Sequence, residues 1–153
     1  MTKDVASCSP ATNAAMAAET MWARDCGILP VLEDSGRVVG VVTDRDLFIA
    51  LGTQDRTPSQ LPVGEIMLRE AAVCGPEDDV RHALATMAKQ RVRRLPVVDQ
   101  SGGLKGILSM NDLVLQSDGV FKDDVIRALK LICQHQSEET TKQEDSQSTS
   151  VAA

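Results

Sequence analysis

Two stretches of the chain carry the same alternation of apolar and polar positions. "LPVLEDSGRVVGVVTDRDL" (29–47) reads as an apolar strand, a Ser-Gly turn, a second apolar strand, then polar residues before leucine resumes. "LPVVDQSGGLKGILSMNDL" (95–113) repeats this without a gap. Short β-branched runs bounded by turn residues predict a strand pair in each. Ahead of the second pair, Val80, Ala83, Leu84 and Met87 fall at i, i+3, i+4 and i+7, one face of a helix. Ala14, Ala17, Ala18 and Met21 occupy the matching places ahead of the first, a smaller face suited to close packing. Pro10 and Pro76 mark the predicted starts of these helices, each after a short strand near 5–8 or 71–74. A short helix near 45–51 or 111–117 closes each unit. The order is β-α-β-β-α, twice.

A constant shift of 66 residues lays 1–52 over 67–118 with 15 identities, among them Met1/Met67, Cys8/Cys74, Pro10/Pro76, Gly40/Gly106 and Asp46/Asp112. Self-similarity of that extent marks a tandem duplication. A unit of about 50 residues buries too little surface to be comfortably stable alone, so the copies are expected to pack together about a pseudo-two-fold axis. Between them, 53–66 reads as a polar linker whose last part leads into the second copy. The first copy has no counterpart of "LPVGEI" ahead of Met1, which leaves a native start and missing upstream residues both open. Beyond the repeats, Phe121, Val125, Leu129 and Ile132 stand at helical spacing. They predict a C-terminal helix within 119–136 that packs on the module or on a second subunit. Residues 137–153, "SEETTKQEDSQSTSVAA", are polar without apolar period and read as a disordered tail.

Composition narrows the function. The net charge of −6 argues against a nucleic-acid binder, since a phosphate backbone wants a broad basic face. It leaves a small anionic ligand open, which needs only a local cationic cluster. No apolar run approaches the roughly 20 residues that cross a bilayer, and "MTKDVASCSP" lacks a secretory signal's apolar core. The expectation is a cytoplasmic protein with no membrane partner. Cys8, Cys26, Cys74 and Cys133 form no CxxC pair, and with two histidines no zinc spacing emerges. Buried free thiols are the expected state. With no Cys/His, Ser/His or metal constellation, catalysis is not expected.

The polar residues after the second strands are the candidate chemistry. Thr43 and Ser109 stand where strand becomes helix, and a helix N-terminus offers unpaired N–H groups and partial positive charge. A phosphate fits such a place. Three residues on, Asp46 and Asp112 each present two acceptor oxygens, able to receive the vicinal hydroxyls of a ribose. Cations for the phosphate would come from Arg45 and from "RVRR" (91–94), with Arg93 and Arg94 just before the second Leu-Pro-Val strand. The first copy has Gly27 and Ile28 there, and Asn111 replaces Arg45 in the second motif, so two sites would be unequal. The same Thr-x-x-Asp and Ser-x-x-Asp spacing also makes a capping box, and the two roles are compatible. The chain has one tryptophan, two phenylalanines and no tyrosine. A purine would therefore sit among aliphatic side chains and backbone amides. That suits one small base better than the aromatic stacking of sequence-tolerant nucleic-acid binding.

The doubled pattern (apolar-Pro-Val strand, Gly turn, Gly-apolar-apolar-[Thr/Ser]-x-x-Asp) resembles the CBS (cystathionine β-synthase) domain over residues 1 to about 118. Bacterial stand-alone CBS-pair proteins carry very similar "VTDRDL" stretches. Two such domains in tandem form a Bateman module. The resemblance implies an α+β fold of two packed β-α-β-β-α repeats, usually dimerised into a flat disc. It implies a regulatory, non-catalytic module for an adenosine-containing effector such as AMP, ADP, ATP, NAD or S-adenosylmethionine. It also implies pockets that join the [Thr/Ser]-x-x-Asp of one copy to the first strand of the other. Thr43, Arg45 and Asp46 would meet Ala72, Val73 and Arg94. Ser109, Asn111 and Asp112 would meet Val5, Ala6 and Ile28. The first site is expected to hold phosphate better. The leading expectation is a homodimeric nucleotide sensor acting on a protein target. The alternative is a structural protein-protein interaction module with vestigial pockets.

Overall fold

The computed structural model describes residues 1–116 and 122–134. Each repeat is built on an antiparallel strand pair. In the first, β1 (Ile28–Leu32) pairs with β2 (Val38–Thr43), Ile28 opposite Thr43 and Val31 opposite Gly40. In the second, β4 (Arg94–Val98) pairs with β5 (Leu104–Ser109), Arg94 opposite Ser109 and Val97 opposite Gly106. The same irregularity recurs, at Val31/Leu32 and at Val97/Val98. Gly36 and Gly102 take φ of +80° and +83° in the two turns, a region open to glycine at little cost.

Helices cover the pairs. α1 (Ala14–Ala23) and α2 (Asp44–Thr53) serve the first repeat, α4 (Val80–Gln90) and α5 (Met110–Gln116) the second. α1 and α4 begin four residues after the prolines that were expected to open them. The physical reason is capping: Asn13 accepts from the N–H of Met16, and Asp79 from that of Arg81. The prolines sit in the turn before. Both helices end through a left-handed non-glycine residue, Asp25 (φ 46°) or Arg91 (φ 54°). The next amide reaches back, Cys26 N–H to Met21 O and Val92 N–H to Met87 O, and this turns the chain into β1 or β4. The strands expected at 5–8 and 71–74 shrink to single parallel bridges, Cys8 with Val31 and Cys74 with Val97.

The repeats exchange strands. Thr2 bridges Ile107 on β5, each N–H donating to the other's carbonyl at 2.9 Å. At the equivalent place β3 (Leu68–Arg69) pairs with Val41 and Gly40 of β2. Arg37 bridges Gly103, its own counterpart 66 residues on, so this contact lies on the pseudo-two-fold axis. The glycines of the repeated motif have a steric cause here. A Cβ on Gly40 would meet the Leu68 carbonyl oxygen at 2.6 Å, and one on Gly106 the Thr2 carbonyl oxygen at 2.7 Å.

Two apolar cores result. Leu29, Val31, Val42 and Leu47 centre the first; Met87, Leu95, Val97 and Leu113 the second. The segment read as a linker contributes to the first. It holds a 3₁₀ turn (Pro58–Gln60) and α3 (Val63–Ile66), and Leu61 and Val63 are fully buried. α6 (Lys122–Cys133) packs on α4 and α5, placing Val125 and Ala128 in the second core. Phe121 and the segment 137–153 lie outside the described residues. Among those described, no helix is long and apolar enough to cross a membrane.

Candidate functional site

At both strand-to-helix junctions the sequence builds a reciprocal cap. Thr43 Oγ1 and its N–H donate to Asp46 Oδ2 at 2.7 and 2.9 Å, while the Asp46 N–H donates to Thr43 Oγ1 at 3.2 Å. Ser109 and Asp112 repeat this at 2.7, 2.8 and 3.1 Å. Both carboxylates are half-buried. Burial works to raise the Asp112 carboxyl, but the bonds from the Ser109 hydroxyl and amide outweigh it and hold it below the ordinary carboxylate range. In each cap the second carboxylate oxygen, Oδ1, has no hydrogen-bond partner among the described residues. The acid that fastens the helix thus keeps an acceptor for a ligand hydroxyl.

The junction of the second repeat opens onto a cavity of about 310 Å³ between the repeats. Its walls come from three directions. The crossing N-terminal strand supplies Thr2, Asp4, Val5 and Ala6; the turn from α1 into β1 supplies Arg24, Asp25, Cys26 and Ile28; β4 and β5 supply Arg94, Ile107 and Ser109. Arg24 clamps the crossing strand by donating to Asp4 Oδ2 at 2.6 Å. Arg94 is exposed, and its guanidinium has neither hydrogen bond nor ion pair among the described residues. The cavity therefore offers aliphatic walls, two hydroxyls, two carboxylates and one uncommitted guanidinium.

Of the second expected constellation, Val5, Ala6, Ile28 and Ser109 meet in this cavity. Asp112 is bonded to Ser109 but is not itself among the residues lining the cavity, and Asn111 is exposed at the start of α5. Arg94, grouped by resemblance with the first constellation, lines the cavity of the second. Thr43, Arg45 and Asp46 sit together at the start of α2. Ala72 is half-buried against the second core and Val73 is exposed. No hydrogen bond or ion pair joins those two groups among the described residues. Arg93 turns toward α6, donating to Cys133 Sγ at 3.7 Å. Sequence reasoning missed Thr2, Asp4 and Ile107, which reach the cavity through the strand exchange, and Arg24, Asp25 and Cys26, which reach it from the turn between α1 and β1; neither feature has a periodic signal.

The thiols offer no reactive centre in the cores. Burial pushes Cys8 up to about 11 and also raises Cys74, helped by Asp78, and a nucleophile needs the thiolate. Among the described residues no group of three or more His, Cys, Asp or Glu is placed to hold a metal.

The class of this fold is settled by comparison. The family model of the CBS domain matches residues 1–53 and 63–118. The chain belongs to the CBS-domain family and carries the domain twice. It is similar to the CBS domain-containing protein YhcV of Bacillus subtilis, 37% identical over 115 residues, 75% of this chain and 80% of that protein. It is 33% identical over 113 residues to the inosine-5′-monophosphate dehydrogenase of Thermoplasma acidophilum, covering 73% of this chain but only 21% of that enzyme. In fold it matches the CBS domain pair of protein MJ0100, solved in complex with 5′-methylthioadenosine and S-adenosyl-L-methionine. That match has a TM-score of 0.68 at 23% identity and covers 75% of this chain and 89% of that one.

Proposed function

We propose that this chain is a cytoplasmic, non-catalytic regulatory module that binds an adenosine-containing ligand between its two CBS repeats. The ligand changes the geometry of a homodimer and so its contacts with a protein target. The supporting observation is the inter-repeat cavity, where the Ser109 hydroxyl, the uncommitted Arg94 and the aliphatic Val5, Ala6, Ile28 and Ile107 converge. At about 310 Å³ it stands at the small end of ligand sites, which run from about 300 to 1,000 Å³. That size suits a nucleoside with its first phosphate or sulfonium arm. Asp112 Oδ1 is the acceptor next to Ser109 for a ribose hydroxyl, and Arg94 the counter-charge for a phosphate. The solved pair of MJ0100 with its two adenosine ligands supports the ligand class.

Screening AMP, ADP, ATP, NAD and S-adenosylmethionine by thermal shift tests the reading. A ligand at 100 times its dissociation constant adds about 2.7 kcal/mol, and Asp112→Ala is expected to abolish the shift. A second reading, a structural interaction module with vestigial pockets, is favoured by one observation: both Thr/Ser-x-x-Asp motifs already serve as helix caps. Absence of a shift with all five ligands would select it.

A further inference from the structure

The duplication supplies an internal control for charge. Between Val80 and Val98 the second repeat carries Arg81, Lys89, Arg91, Arg93 and Arg94 and no acid. Their counterparts 66 residues earlier, Ala15, Ala23, Asp25, Gly27 and Ile28, include no cation. α1 ends without a basic residue in its last turn, so the fold does not need this charge to finish a helix. A chain of net charge −6 nevertheless concentrates it on one repeat.

Arg81, Lys89 and Arg91, with Arg127 of α6, border a groove of about 510 Å³ between α4 and α6. The two helices run parallel. Arg81 Nε meets Asp124 Oδ2 at 3.1 Å near one end, and Arg93, just beyond α4, reaches Cys133 Sγ near the other. The groove floor is apolar, formed by Leu84, Ala85, Ala88, Ala128 and Leu131. Asp124, the acid in its lining, is held by Arg81. Lys89, Arg91 and Arg127 are exposed, and their side chains have neither hydrogen bond nor ion pair among the described residues.

We infer that this groove docks an acidic amphipathic helix of a protein target, its apolar residues on the floor and its carboxylates against Lys89, Arg91 and Arg127. The inference rests on the protein-target part of the proposed function, for which it names the surface, and not on the ligand.

Chemistry and size select the occupant. The small side chains of Ala85, Ala88 and Ala128 let a third helix approach closely, and anchors at i, i+3, i+4 and i+7 are how a helix fills such a groove. From Arg81 to Arg91 it runs about 15 Å, close to three helical turns. The cations call for carboxylates, and an apolar floor that excludes water strengthens each pair. A nucleic acid or polyphosphate would answer the cations and leave the floor uncovered. The chain's own C-terminal segment follows Gln134, which lines the groove. Residues 137–150, however, contain no apolar side chain, so that segment too would leave the floor in water. The groove shares no lining residue with the inter-repeat cavity, and docking is expected with or without nucleotide.

Fluorescence anisotropy of the full chain without nucleotide tests this. The probe is a fluorescein-labelled helical peptide of about 14 residues, four turns, with leucine along one stripe and glutamate elsewhere. Wild type is expected to bind it with a dissociation constant below about 100 μM, more weakly as salt rises, and not to bind the same peptide with lysine for glutamate. Arg127→Glu is expected to cost about tenfold or more, the scale of a lost charged hydrogen bond. Lys130→Glu makes the same charge change on the same helix outside the groove, and is expected to cost less than about threefold, as a screened charge does. Ala85→Trp fills the groove from an exposed position without changing charge and is expected to abolish binding. Far-ultraviolet circular dichroism is expected to be unchanged in all three variants. No binding to wild type, equal binding of the lysine peptide or of one with its leucines scrambled, or equal losses from Arg127→Glu and Lys130→Glu would each overturn the inference. Displacement of the probe by a peptide of residues 135–153 would give the groove to the chain's own tail and overturn it. Loss of a sedimenting homodimer in Arg127→Glu would give it to a second copy, with the same consequence. Because no nucleotide is present, failure here leaves the thermal-shift result standing, and the reverse holds too.

Discussion

Gly106→Ala is the sharpest probe of the strand exchange that encloses the cavity. The added Cβ would lie 2.7 Å from the Thr2 carbonyl oxygen and 3.1 Å from Met1 Sδ. The sulfur is a flexible end and can give way. The carbonyl cannot, because Thr2 exchanges two backbone bonds of 2.9 Å with Ile107, the very next residue. Relief therefore means lifting the N-terminal strand off β5. Losing two backbone bonds of about 0.5–1.5 kcal/mol each removes roughly 1–3 kcal/mol. Replacing glycine inside a strand returns about 0.5–1 kcal/mol. The net expectation is a destabilisation of up to about 2.5 kcal/mol, together with a weaker cavity, since Thr2, Asp4, Val5 and Ala6 form one wall. Urea unfolding reads the first effect as a midpoint lowered by up to about 2.5 M, for a slope of 1–3 kcal/mol/M. Amide exchange at Thr2 and Ile107 reads the second. A midpoint within error of wild type with both amides still protected would refute the steric account.

Asp112→Ala removes the acceptor of the Ser109 cap and is expected to cost about 0.5–2 kcal/mol, read by chemical denaturation; Asp46→Ala costs a similar amount in the first repeat. Because the folded Asp112 carboxyl is held below its ordinary value, its contribution is present above about pH 4 and fades as pH falls through the folded value. The stability gap between wild type and Asp112→Asn should accordingly close on acidification, and a gap that widens would reverse the assignment. Arg94→Gln is expected to weaken AMP and ATP about tenfold or more, a charged hydrogen bond being worth about 1.5–3 kcal/mol, while sparing S-adenosylmethionine. Equal losses in calorimetric titrations would show that Arg94 does not face a phosphate.

The duplicated strand pairs were legible because an apolar alternation and a 66-residue shift are properties of many residues at once. Both the Thr43/Asp46 and Ser109/Asp112 spacings were visible, and so was their double meaning as cap and acceptor. What escaped is carried by few residues. The strand exchange rests on Thr2 at one end and on Leu68 and Arg69 at the other, too short for any period. The helix starts were placed at Pro10 and Pro76 because proline is the louder signal, whereas Asn13 and Asp79 make the caps. Leu61 and Val63 were passed over as linker, since two apolar residues among polar ones leave no pattern, yet both are fully buried. The cavity inherits this partial legibility. Its Ser109 side could be read from the motif, while Arg24 and Ile107 belong to it only through tertiary contact.

The departures from two-fold symmetry fall where a sensor would need them. Two copies of one sequence would give two equal pockets and two equal outer faces, with nothing to link a particular pocket to a particular face. In this chain Ile28 and Arg94 are counterparts 66 residues apart, and both line the same cavity, so its uncommitted cation comes from one repeat alone. Arg94, Asp25 and Cys26 line that cavity and also a groove between α1 and α2, beneath the exposed Trp22 and Phe48. A phosphate that draws Arg94 inward would take it from the groove wall, and Asp25, held left-handed at the end of α1, would lose a nearby cation with it. Ligand and partner would then compete for, or share, one set of side chains. That supplies the differential interaction without which no ligand shifts a conformational equilibrium. The second repeat's outer face, where α6 packs on α4 and α5, shares no lining residue with that cavity.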